Sequence, residues 1–193
     1  MYAKVENNVI VKANSSLASF NKAAPGWSTA QLEANGIYEV VYDNTNLKDY
    51  RFYNNGAESF TFANDTVTAS YTVAVGKTLD DVNEVDEEGN ALLDDDGVQL
   101  VTSGLKTNEK NQIKAQAANL LQSTDWYVVR HAESETAIPA NVSTYRTAVR
   151  TKSNEIETSI DGAATVEAVE ALFTYTTGAD DVVSRPLGEW PKL

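Results

Sequence analysis

The chain is 193 residues long, 42% hydrophobic and 22% charged, with a net charge of −13 and no cysteine. That length suits one domain, or one domain with a smaller appendage, and at this size roughly 70% of the unfolded chain's surface disappears on folding, which argues against disorder throughout. A general nucleic-acid binder needs a positive face to neutralise phosphates, and an absence of thiols excludes a disulfide scaffold and thiolate metal sites.

No run approaches the ~20 apolar residues of a membrane span. The opening stretch MYAKVENNVIVKANSS lacks the apolar core of a secretory signal. The expectation is a soluble chain made in a cytoplasm, with neither membrane nor nucleic acid as partner.

Tyr2-Ala3-Lys4-Val5 and Val9-Ile10-Val11-Lys12 are β-prone, and Glu6-Asn7-Asn8 between them carries the Asn residues that tolerate a hairpin turn's positive φ. Residues 15–20 can form one or two helical turns with Asn14 as cap, broken at Pro25-Gly26. Ser28 and Gln31 have capping-box spacing and Asn35-Gly36 supplies a stop, so 29–34 is a very short helix.

Ile37-Tyr38-Glu39-Val40-Val41-Tyr42 follows as a strand. To about Gly76, β-prone runs at 49–53, 58–62 and 66–75 alternate with turn signals at Asn54-Asn55-Gly56 and Asn64-Asp65. This reads as a small antiparallel meander, with Asn55-Gly56 the strongest hairpin signal.

The segment 80–96 holds nine acidic residues and no basic one. Asp86, Glu88 and Asn90 have the alternation of a calcium loop, but Ala91 stands where the loop requires glycine, and Asp94-Asp95-Asp96-Gly97 has the glycine without the register. Both are expected to be solvated turns, with 99–102 a last short strand. Composition changes at Ser103-Gly104 from β-branched and aromatic to Ala, Gln, Asn and Lys, which places a boundary between a β-rich part, 1–103, and a helical part, 104–193.

In the helical part, Ile113, Ala117, Leu120 and Leu121 make one apolar stripe over 107–122. Trp126-Tyr127-Val128-Val129 is short and β-branched and is expected to be extended. Pro139 opens a second helix with Val142, Tyr145, Val149 and Ile156 on one face, running to about Ile160. A third spans 166–173 with Thr165 as cap, and the tail to Trp190-Pro191 is extended. The expected fold class is α+β: a small antiparallel β-meander with short helices, then a helical hairpin.

Catalytic constellations are not visible. His131 is the only histidine, and no G-x-S-x-G, Walker A or G-x-G-x-x-G run occurs. The expected role is therefore not enzymatic and needs no cofactor. Tyr38, Tyr42, Tyr50 and Tyr53 are candidate interface aromatics, although cross-strand pairing in a sheet core is the commoner fate of such residues.

One set of motifs resembles a known family. Leu120-Leu121-Gln122-Ser123-Thr124-Asp125-Trp126, then Ile138-Pro139, Thr144-Tyr145-Arg146-Thr147-Ala148-Val149-Arg150 and finally Trp190-Pro191 follow the order found in tailed-phage tail-fibre assembly proteins (tail assembly chaperones). The opening twelve residues and Asn35-Gly36-Ile37-Tyr38 are similar to virion structural proteins of marine and cyanobacterial phages. Tyr127-Val128-Val129-Arg130 departs from the Pro and Leu residues usual after Asp-Trp.

The resemblance implies a virion or assembly protein of the tail or tail fibres, made in the host cytoplasm. It would bind other tail or fibre proteins within an oligomeric assembly. The alternative is a receptor- or carbohydrate-binding module at a fibre tip. Asp125, Trp126, Pro139, Tyr145, Arg146, Arg150, Trp190 and Pro191 are the residues that carry the resemblance. On physical grounds Trp126 should wedge between the two helices, and Asp125 should pair with Arg146 or Arg150.

Overall fold

The structure, a computed structural model, describes residues 1–20 and 26–193. Pro25, expected to break the first helical turns, lies outside the described residues. The chain is α+β and divides into two compact units, Met1–Val75 and Gly76–Leu193.

The first unit is built on a five-stranded sheet of β1 (Tyr2–Glu6), β2 (Val9–Ser15), β3 (Ile37–Asp43), β4 (Glu58–Ala63) and β5 (Thr66–Tyr71) in the order β2-β1-β3-β5-β4. Asn7 and Asn8, both at left-handed φ, turn β1 into β2, and Asn64 and Asp65 do the same between β4 and β5. The sheet is not a pure antiparallel meander. β3 and β5 run parallel, Val40 beside Val67 and Tyr42 beside Ala69, because the chain loops out between β3 and β4 and returns β5 to the centre.

Asn55-Gly56, read as a hairpin, does not join two paired strands. The Asn55 side chain instead closes the loop on itself, accepting from Lys48 N at 2.9 Å and donating to Lys48 O at 2.8 Å. Most of the expected strand 49–53 is turn, with only Tyr53–Asn54 extended.

The sheet curls until its two edge strands meet, where Asn14 Nδ2 donates to Glu58 Oε2 and Tyr42 Oη donates to Asn14 Oδ1. Inside the curl lie Ala3, Val5, Val40, Val67 and Ala69, with Tyr38 and Phe62 against them at a ring distance of 4.8 Å. On the other side Phe20, Leu32 and Ile37 pack with Leu17 and Trp27. The helix there, α1 (Thr29–Ala34), carries the full Ser28–Gln31 capping box. Only a single 3₁₀ turn, Leu17–Ser19, forms upstream, with Ser16 at its cap position; Asn14, expected there, is still in β2.

The second unit is helical, with α2 (Leu105–Gln122), α3 (Asp125–Ser134), α4 (Ala140–Gly162) and α5 (Val166–Phe173). Ile113 and Ala117 of α2 are buried, as are Val142, Tyr145, Val149, Ile156 and Ile160 of α4. The apolar stripes read from the sequence are thus the helix interface. Lys110–Asp161 at 2.7 Å and Lys114–Glu157 at 3.5 Å join α2 to α4 and make the hairpin antiparallel. Thr165 caps α5, which buries Val169 and Phe173.

Residues 76–104 belong with the helices, so the fold divides some thirty residues before the compositional change at 103/104. The physical tie is a cap in trans. Leu105 N donates to Thr78 O and Lys106 N to Leu79 O, while Asp81 Oδ1 accepts from Gly104 N at 2.7 Å. These contacts satisfy N–H groups that the start of a helix leaves without partners.

Candidate functional site

The α2–α4 hairpin is fastened at one end by a polar hub. Arg146, 7% exposed, points its Nη1 at the last carbonyls of α2, donating to Leu121 O at 3.0 Å and to Thr124 Oγ1 at 2.7 Å. The same nitrogen lies 2.8 Å from Asp125 Oδ1. Thr124, 1% exposed, passes its own hydroxyl hydrogen to Leu121 O, and Tyr145 Oη donates to Leu120 O at 3.2 Å. A cation at a helix C-terminus and a carboxylate at a helix N-terminus are each favourable, and Arg146 with Asp125 supplies both at the α2–α3 junction.

The expected ion pair is therefore made with Arg146, while Arg150 stays exposed. Thr124 is the hub residue that the reading of the sequence passed over. Its place between Ser123 and Asp125 in the Leu-Leu-Gln-Ser-Thr-Asp-Trp run was visible, but its burial was not.

Two expectations about this stretch are corrected. Residues 126–129 are helical, not extended: they lie in the first turns of α3, which has Asp125 at its N-terminal end and is stopped by Glu135 at a left-handed φ of 55°. Trp126 does not wedge between helices. It is 52% exposed, while Trp190 from the tail packs on Ala117, Tyr145 and Val149 in its stead and donates Nε1–H to Gln116. Pro139 stands at the N-cap position of α4, and Pro191 lines a shallow depression along α4 with Ser143, Thr147 and Thr151.

Projecting from the hub, α3 buries none of its side chains. Trp126, Val128 and Val129 are all exposed. Trp126 and Tyr127 contact each other with ring centroids 3.8 Å apart, and the Arg130 guanidinium lies 4.7 Å from one ring and 5.3 Å from the other. Arg130 Nε is shielded from water without a hydrogen-bond partner, so the rings are what it has in exchange. His131 Nδ1 lies 3.0 Å from Thr136 O at the far end of α3.

Of the candidate aromatics in the first unit, Tyr53 is buried and Tyr38 is half-buried against the sheet core. Tyr42 and Tyr50 are exposed, Tyr50 at 71%. Among the described residues no group of three His, Asp or Glu side chains is placed to hold a metal, and no helix is long and apolar enough to cross a membrane.

No family model, curated protein or solved structure matches the chain. The site is a hydrogen-bonded fastening from which a short helix with exposed aromatic and aliphatic side chains stands out.

Proposed function

We propose that the chain is a non-enzymatic binding component of a tailed-phage particle, associated with the tail or its fibres and working by contact with other tail or fibre proteins in an oligomeric assembly. The observation that carries the binding reading is α3. A ten-residue helix with no buried side chain falls short of the ~12–15 residues that even good helix formers need in isolation. Its exposed Trp126 is a residue type enriched among the anchors of protein interfaces, and the exposed Val129 one turn on extends the apolar surface. The phage-tail context rests on the Leu-Leu-x-x-Thr-Asp-Trp, Tyr-Arg-x-Ala-Val-Arg and Trp-Pro motifs.

The test is co-expression with a tail-fibre protein of the phage that encodes the chain, followed by pull-down. The fibre protein is retained by the native chain and lost by the Trp126→Ala, Val129→Ser double variant. No retention by the native chain defeats the tail reading, and equal retention by both chains defeats the role of α3. The exposed rings of Trp126 and Tyr50 also favour a second reading, a carbohydrate-binding module at a fibre tip, since such rings stack on sugars. Binding on a glycan array that is lost in Trp126→Ala would select it.

A further inference from the structure

Within the second unit, ahead of α2, residues 82–102 fold without burying a single side chain. Two consecutive octets share one pattern, Val85-Asp86-Glu87-Glu88-Gly89-Asn90-Ala91-Leu92 and Leu93-Asp94-Asp95-Asp96-Gly97-Val98-Gln99-Leu100. Each makes the same acidic-tipped turn. Asp86 Oδ1 accepts from Glu88 N and Asn90 N at 3.0 and 2.8 Å, and Asp94 Oδ1 accepts from Asp96 N and Val98 N at the same two distances. Gly89 and Gly97 supply the left-handed φ that each turn needs.

The arms converge on a closed ring of backbone hydrogen bonds at a spacing of eight residues. Glu84 N donates to Leu100 O, Leu100 N to Leu92 O, and Leu92 N to Glu84 O. The Gln99 side-chain amide lies within hydrogen-bond distance of all three carbonyls, at 2.7, 3.1 and 2.8 Å. Val82–Asn83 pairs with Val101–Thr102 at the base, and Thr102 Oγ1 donates to Glu84 Oε1.

Polar bonds thus account for the shape of this rosette, and its apolar side chains do not. Every Val and Leu in 82–101 is exposed, with Val85, Leu93 and Val98 at 54%, 54% and 60%. Apolar groups concentrated on a scaffold that does not need them for its own folding mark a contact surface. A preformed scaffold also spares the ordering entropy that a flexible loop would lose on binding.

Charge selects the occupant. Within 82–105 there is no Lys, Arg or His, while Glu84, Asp86, Glu87, Glu88 and Asp94-Asp95-Asp96 surround the apolar groups. Seating the same face of a second copy here would bring carboxylates against carboxylates, costing about 1 kcal/mol for each pair at 4 Å even at the dielectric of water. We infer that the 82–102 rosette is a docking surface for a partner protein whose apolar cleft is rimmed by lysine and arginine. The inference shares with the tail reading only the premise that the chain works by binding, and it concerns a surface other than α3.

The test titrates the full chain, followed by its amide NMR shifts, with three synthetic peptides. One is an amphipathic peptide of Leu and Lys, one has Ser in place of Leu, and one has Glu in place of Lys. The Leu/Lys peptide is expected to shift amides of 82–102, and the other two to leave them in place. Leu93→Ser with Val98→Ser weakens binding about tenfold, the equivalent of 1.4 kcal/mol.

A second variant, Glu87→Gln with Glu88→Gln, Asp95→Asn and Asp96→Asn, leaves every apolar residue in place and weakens binding about as much, and added salt weakens it further. Equal binding of the Ser-for-Leu peptide, which keeps its lysines, means charge alone and overturns the inference, as do equal binding of the Glu-for-Lys peptide and shifts confined to other segments. Self-association of the chain through 82–102 overturns it too, by naming a second copy as the occupant. Failure of the fibre pull-down leaves these outcomes unchanged, so the two readings fall separately.

Discussion

Arg146 does at one atom what three separate capping groups would otherwise do. Its Nη1 meets Leu121 O, Thr124 Oγ1 and Asp125 Oδ1 within 3.0 Å. Arg146→Ala removes the donor to the buried Thr124 hydroxyl and one of several donors to Leu121 O, and is expected to cost about 1–3 kcal/mol, read as a drop in the urea midpoint. Arg146→Lys recovers part of that, since an ammonium on a flexible stem cannot reproduce the planar fork. Asp125→Asn costs less than about 1 kcal/mol, because Asp125 is 55% exposed and water screens its share of the pair. The two tryptophans separate in the same assay. Trp126→Ala stays within about 0.5 kcal/mol of the native chain, as surface changes do. Trp190→Ala costs about 2 kcal/mol, because it packs on Tyr145 and Val149.

At the scale of elements, the start of α2 shows how a helix can be capped from a distance. Gly104 occupies its N-cap position and has no side chain to offer, and a Cβ there would collide with the Asp80 carbonyl. Gly104→Ala is expected to destabilise by about 1–3 kcal/mol, as overpacking does. Asp81 replaces the missing cap. The Gly104 N–H, then the Thr107 hydroxyl, hold its carboxyl below the ordinary carboxylate range. A depressed folded pKa means that the contribution is present above the unfolded value near 4 and is lost as pH falls through the folded one. Urea midpoints measured from pH 6 down to pH 3 should therefore fall, and fall less for Asp81→Asn.

Much of this architecture was legible beforehand: the Asn7-Asn8 hairpin, the Ser28 box, Pro139, Thr165 and the α2 and α4 stripes are local signals that the fold obeys. The misses have a common cause. Whether Asn55-Gly56 or Asn64-Asp65 made the hairpin depended on which flanking strands could pair. That Trp126-Val129 is helix depended on the hub at Thr124 and Asp125, and Trp190 took the seat expected for Trp126 by a contact across 74 residues of sequence. The octet repeat was visible in the sequence, but its meaning appears only when Glu84, Leu92 and Leu100 close their ring.

For the whole molecule, the division at Val75/Gly76 makes the cap in trans internal to the helical unit. A fragment 76–193 should accordingly be more stable than a fragment 104–193 by about 1–2 kcal/mol, the worth of a helix cap, in parallel thermal melts. The rosette is carried by the same unit, so the helical hairpin and both proposed contact surfaces travel together in that fragment.

In the proposed function the hub holds α3 out for a partner. Amide hydrogen exchange over 125–134, measured on the full chain alone and with the fibre protein, tests it most directly. A helix with no fully buried side chain opens easily, so its amides should exchange far faster than those of α2 and α4 in the free chain and slow markedly in the complex. Protection of 125–134 equal to that of α4 in the free chain, or unchanged exchange in a complex that does form, would contradict it.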